Sequence, residues 1–150
     1  MYRNNNGSLS LAWSSPESDN TRAVAWADID GDGDLDFSAG NNGQSNRVYQ
    51  NNSGNWTAAW SSTETDSTYA IIWGDVDRDG DLDMFTGNDG QVNRVYRNDG
   101  GGVFTLIWSS TETDNTRAAA FGDYDRDGDP DILTGNYGQA NRVYRNDGGT

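Results

Sequence analysis

Apolar residues along this chain come in short runs separated by glycine, asparagine and aspartate, and the runs recur at a fixed spacing. Trp-Ser-Ser begins at Trp13, Trp60 and Trp108, in steps of 47 and 48 residues. Asn-Arg-Val-Tyr begins at Asn46, Asn93 and Asn141 with the same steps. The extra residue falls in the glycine run Gly100-Gly101-Gly102. Each period predicts four strands divided by turn residues. The first covers residues 23–27, 70–74 and 118–122; it is apolar on both faces, as befits a strand covered on both sides. The second covers 35–39, 82–86 and 130–134, with Pro130 at a strand start, where a missing amide costs least. The third covers 46–50 and its counterparts. The fourth alternates, so that Leu9, Leu11 and Trp13 share a face, as do Trp56, Ala58 and Trp60, and Phe104, Leu106 and Trp108. No segment carries a helical period. A period of this length with four short strands predicts an all-β protein made of four-stranded antiparallel propeller blades.

The frame of the pattern adds an expectation about assembly. The chain opens near the end of a third strand at Tyr2-Arg3 and supplies one fourth strand within residues 1–15. Two full units follow at 21–62 and 68–110, and a unit at 116–150 lacks its own fourth strand. Three blade equivalents fall below the usual propeller range of about four to eight. Separate chains are therefore expected to close a ring, the N-terminal strand of one completing the last blade of another. Two copies with six blades are favoured over three copies with nine, and the other reading is a portion of a longer array.

One stretch breaks the apolar pattern in every period. Asp28-Ile-Asp-Gly-Asp-Gly-Asp-Leu-Asp36 returns as Asp75 to Asp83 and again as Asp123 to Asp131. Carboxylates fall at positions 1, 3, 5, 7 and 9, with glycine at position 6. Like charges this dense repel unless a cation sits among them. Oxygen donors with no Cys or His nearby select a hard ion, calcium. The loops are not EF-hands: position 12 is Ala39, Thr86 and Thr134 rather than Glu, and the flanks are strands. Asp and Gly also make good turns, but three copies in register favour a metal cage over turns alone.

Charge narrows the function classes. The net charge is -14, from 24 acidic and 10 basic residues, every basic one an Arg. Three calcium ions would bring -14 to -8, still acidic, which disfavours nucleic acid and anionic membranes as partners. There is no Cys, no His and no Lys, so disulfides, Ser/His triads and Lys bases are excluded. No apolar run is long enough to span a bilayer, and Met1 to Gly7 has no signal-peptide core. Six Trp, seven Tyr and four Phe, mostly at repeat positions, argue for a packed core despite low hydrophobicity.

The run Phe121-Gly-Asp-Tyr-Asp-Arg-Asp-Gly-Asp-Pro-Asp-Ile132 resembles an FG-GAP/VCBS repeat, the unit of integrin-alpha-like β-propellers. The resemblance covers nearly the whole chain. The aromatic-glycine pair reads Trp26-Ala27 and Trp73-Gly74 in the other copies, and no Gly-Ala-Pro follows. It implies one calcium ion per loop, three per chain, between the first and second strands. The ligands it implies are Asp28, Asp30, Asp32 and Asp36 with the Asp34 carbonyl; Asp75, Asp77, Asp79 and Asp83 with the Asp81 carbonyl; and Asp123, Asp125, Asp127 and Asp131 with the Asp129 carbonyl. It also implies an extracellular or cell-surface location.

The loops between strands two and three repeat a second polar set: Gln44, Asn46 and Arg47; Gln91, Asn93 and Arg94; Gln139, Asn141 and Arg142. The blade links add Glu17 and Asp19, Glu64 and Asp66, and Glu112 and Asp114 on the same side. Such groups suit a sugar, or they pair with one another and satisfy turn backbones. The favoured reading is a non-catalytic, calcium-stabilised propeller module acting as a binding or assembly scaffold. The alternative is a multivalent lectin; less favoured is the propeller portion of a polysaccharide-active enzyme. The closeness of the repeats fits recent amplification or deliberate design.

Overall fold

The computed structural model describes residues 1–148, so the last two residues of the unit expected at 116–150 lie outside the described residues. Among the described residues there are thirteen strands and no helix. They are β1 (Tyr2–Asn5), β2 (Ser8–Leu11), β3 (Thr21–Ala27), β4 (Asp36–Asn41), β5 (Arg47–Asn52), β6 (Asn55–Ser61) and β7 (Thr68–Gly74). The rest are β8 (Asp83–Asn88), β9 (Arg94–Asn98), β10 (Phe104–Ser109), β11 (Thr116–Gly122), β12 (Asp131–Asn136) and β13 (Arg142–Tyr144). Sheets β3-β4-β5-β6 and β7-β8-β9-β10 form two four-stranded antiparallel blades, and β11-β12-β13 is a third blade with three strands. The hairpin β1-β2 stands as a separate sheet, and β2 is not paired with β13 within the chain.

The element types agree with the pattern, while the boundaries differ for local reasons. Each inner strand starts two residues early, at Thr21, Thr68 and Thr116, because a bulge carries the pairing past Arg22, Tyr69 and Arg117. Pro130 does not open a strand; β12 begins at Asp131, whose buried carboxylate sets the first ladder position.

The fourth strands depart most from expectation. Trp56 and Trp60 do not share a face, and neither do Phe104 and Trp108. A bulge in β6 places Ala58 opposite Tyr49 and Trp60 opposite Val48; in β10 it lies between Leu106 and Trp108. One extra residue reverses the alternation that follows it. Trp56 therefore packs on Trp26 and Phe37 of its own blade, while Trp60 crosses to Tyr96 and Phe104 of the next. Trp108 likewise meets Tyr144 of the third blade, and Trp13 meets Tyr49 of the first. Trp60 and Trp108 are inter-blade core, and Trp13 takes the matching place on the first blade.

The core lies between blades. Ile29 and Val48 of the first blade pack with Ile71, Met84, Tyr96 and Phe104 of the second. Phe85 and Val95 of the second pack with Ile132 of the third. Glycine makes one of these contacts possible: a Cβ at Gly74 would lie 2.6 Å from the Phe121 ring. Asparagine hooks join the blades as well. Asn98 Nδ2 donates to the Ile29 carbonyl at 2.9 Å, and Asn146 Nδ2 to the Val76 carbonyl at 2.9 Å.

Candidate metal centres

Each aspartate loop bridges the inner strand of a blade to its neighbour, β3 to β4, β7 to β8 and β11 to β12. The tight course of the loop needs left-handed backbone at two places. Position 6 is Gly33, Gly80 and Gly128 with φ of 90°, 100° and 94°. Position 4 is Gly31 in the first loop, but Arg78 and Arg126 hold φ of 62° and 67° in the others. Non-glycine residues there carry backbone strain, which the surrounding hydrogen bonds must offset.

Those bonds repeat from loop to loop. The Gly33 N–H donates to Asp28 Oδ2 at 3.1 Å and the Asp34 N–H to Asp32 Oδ1 at 2.8 Å. The second loop repeats them at Gly80 and Asp81, the third at Gly128 and Asp129. The position-9 carboxylates are buried and anchor the loop to the blade. Asp36 accepts N–H bonds from Ile29 and Asn51, both at 2.8 Å. Asp83 does the same with Val76 and Asn98, and Asp131 with Tyr124 and Asn146. Burial pushes the Asp36 and Asp83 carboxyls up, against those N–H bonds, and the other loop carboxylates push the same way. A cation among them would act in the opposite direction.

Carboxylate oxygens gather to within 4.8 Å of one another from Asp28, Asp30 and Asp32 in the first loop, and from Asp123, Asp125 and Asp127 in the third. In the second the gathered set is Asp75, Asp77 and Asp83. Two of the position-7 side chains turn elsewhere: Asp34 accepts the Ser53 N–H at 2.8 Å, and Asp129 pairs with Arg78 at 2.8 Å. Those contacts agree with position 7 serving through its main-chain carbonyl, the role expected of it. Buried Asp28 Oδ1 and Asp75 Oδ1 have no hydrogen-bond partner. A buried carboxylate oxygen without a donor is costly, and a hard cation is the partner its neighbours would share. The donor set therefore fits calcium.

The third loop differs. Asp123 Oδ1 accepts the Arg126 N–H at 2.7 Å, and Arg145 lies 2.8 Å from Asp125 and 3.6 Å from Asp127. Copy one carries Gln50 at the position of Arg145. In copy two Arg97 meets Asp99 at 2.7 Å, as Arg145 also meets Asp147 at 2.7 Å, but Arg97 makes no contact to the loop carboxylates. A guanidinium on two of the three gathered carboxylates competes with a metal ion. Arg145→Gln is expected to tighten calcium binding at one site per chain by about tenfold, read by calorimetric titration.

The second polar set is bonded within the fold. Gln44 accepts the Asn20 N–H at 2.6 Å and donates to Asp19 at 3.3 Å. Asn46 is buried; its side chain accepts the Asn41 N–H and donates to Thr68 across the blade boundary, both at 2.9 Å. Arg47 pairs with Asp19 at 2.5 Å and reaches Glu17 at 4.0 Å. The second blade repeats the pattern: Gln91 meets Ser67, Asn93 meets Thr116, and Arg94 meets Asp66. In the third, Gln139 meets Asn115, Asn141 accepts the Asn136 N–H, and Arg142 meets Asp114. Link glutamates accept from the strand-three tyrosines, Glu17 from Tyr49 and Glu64 from Tyr96. Burial and that glutamate push the Tyr49 hydroxyl up to about 12. The strand-three asparagines Asn51, Asn98 and Asn146 look like turn formers in the sequence, and only the recurring Tyr-x-Asn signals another role.

Among the described residues no helix is long and apolar enough to cross a membrane. No curated protein matches the chain. The FG-GAP-like repeat family matches it over residues 1–39, 35–86 and 75–134, the successive matches running across all three aspartate loops. Repeats of this kind are typical of extracellular proteins and often bind calcium. With that match across most of its length, the chain belongs to the FG-GAP-like repeat family.

Proposed function

We propose that the protein is a non-catalytic propeller module whose aspartate loops each hold a calcium ion, and which serves outside the cell as a binding or assembly scaffold. The observation that carries this reading is the pair of buried, unpartnered oxygens, Asp28 Oδ1 and Asp75 Oδ1, inside gathered carboxylates. Positions 1, 3, 5 and 9 would supply side chains and position 7 its carbonyl. Bound calcium would neutralise the loop and fasten the inner strand of a blade to the next strand. That is a structural role, since the chain has no His, Cys or Lys to work beside the metal.

The lectin reading loses support from the same geometry. Gln44, Asn46 and Arg47 and their counterparts are bonded to links and turns, leaving few free groups for a sugar. Calorimetric titration of calcium is expected to give three sites per chain, and Asp79→Ala two. Absence of binding heat would overturn the calcium reading. A glycan-array screen of calcium-loaded protein is expected to be blank; a sugar bound in calcium and released by chelation would replace the scaffold with a lectin.

A further inference from the structure

The two ends of the chain carry halves of the boundary that joins its own blades. At the first boundary Phe104 of β10 fills a space bounded by Ile29, Val48, Trp60, Met84 and Tyr96. One period on, the matching residues are Val76, Val95, Trp108, Ile132 and Tyr144. These five line a cavity of about 510 Å³ between the second and third blades. The cavity takes in the counterpart of the Phe104 space and extends to Arg78 and Asp129, and among the described residues the third blade has no fourth strand over it.

Leu9 holds the position of Trp56 and Phe104, one and two periods upstream. It is 67% exposed, and Leu11 beside it 63%. Trp13, at the end of the same segment, is already seated on Tyr49 of the first blade, as Trp60 is on Tyr96. That contact sets β2 where the fourth strand of a preceding blade would run. The segment paired with β2 in the chain is β1, and its Tyr2-Arg3-Asn4 is the same tripeptide as Tyr144-Arg145-Asn146.

We infer that β2 of a second copy replaces β1 with β13, placing its Leu9 in the cavity between the second and third blades. The register follows from β1 and from the other blades: Leu9 opposite Asn146, Ser10 opposite Arg145 and Leu11 opposite Tyr144. The rest of the seam is complementary in the same way. Leu133 and Val143 are 50% and 54% exposed, whereas their counterparts Phe85 and Val48 are at 0%. Val24 and Trp26, exposed on the first blade, match Ile71 and Trp73, which cover the first boundary. The polar hooks match too. Asn51 of the second copy would reach the Tyr124 carbonyl as Asn98 reaches Ile29, and Asn141 would reach Thr21 of the second copy as Asn93 reaches Thr116. Two copies meeting this way at both ends close a ring of six blades. The contact does not depend on the calcium reading.

The test is the native mass of the full chain across a concentration series. The expected mass is twice 16.4 kDa. Leu9→Asp is expected to weaken association more than about a hundredfold, because it acts at both seams. Its melting curve as a monomer should be unchanged, since Leu9 is exposed in the single chain. Removing residues 1–5 is expected to strengthen association by freeing β2. In the cysteine-free chain, Ser10→Cys with Arg145→Cys is expected to give an interchain disulfide. A monomer at every concentration even without residues 1–5, association untouched by Leu9→Asp, or a paired-cysteine variant that stays monomeric would each overturn the inference.

Discussion

If the aspartate loops hold calcium as proposed, withdrawing the ion is expected to lower the melting temperature of the protein by about 8–16 °C. At a free concentration about ten times the dissociation constant, an ion that binds only the folded chain adds about 1.4 kcal/mol per site. Three sites add about 4 kcal/mol, and a chain of this size moves about 2–4 °C per kcal/mol. The effect of a charge-removing substitution, measured against the parent, should differ in sign between the two conditions. Asp30→Asn keeps a side-chain oxygen for the Asp32 N–H, which now donates to Asp30 Oδ1 at 3.3 Å, but removes one of the crowded charges. In chelator that variant melts higher than the parent; in calcium it melts lower. Scanning calorimetry in both buffers reads the crossing, and parallel curves would show that the loops hold no ion.

Trp60→Ala costs about 3 kcal/mol, close to 10 °C in melting temperature. Its ring meets Tyr96 edge-on at 5.2 Å and Phe104 at 5.3 Å, and it packs against the main core cluster. Truncation opens a cavity at a boundary made of few large side chains, with little backbone able to collapse into it. Val103→Ala, in the exposed turn before β10, should stay within about 0.5 kcal/mol of the parent. Thermal melts of the two variants separate an inter-blade role for Trp60 from a surface one: equal melting temperatures would place its ring outside the core.

Much of this was legible in the sequence because it repeats with strict phase. Strand alternation, glycine at position 6 and carboxylates at alternate positions each reflect local backbone geometry, so one period suffices to read them. What stayed hidden depends on contact between periods. The bulges of β6 and β10 leave no mark in composition, yet they send Trp60 and Trp108 away from Trp56 and Phe104. Asn98 and Asn146 read as turn residues because their acceptors lie 69 and 70 residues upstream. The approach of Arg145 to Asp125 and Asp127 was equally invisible, since Arg97 and Arg145 both meet the aspartate two residues on and only Arg145 also reaches the loop.

The bulge also decides what counts as one unit of folding. The covalent repeat ends with its fourth strand, but the last aromatic of that strand belongs to the hydrophobic interior of the repeat that follows. A cut in the link between Ser61 and Thr68 would leave Tyr96 bare on one fragment and Trp60 in water on the other. The cooperative unit is thus offset from the genetic one by a single side chain. Duplication of a whole period keeps every such donor beside its receiver, whereas exchange of isolated blades between unlike proteins breaks one at each join. An array built this way grows readily by copying itself and resists being shuffled.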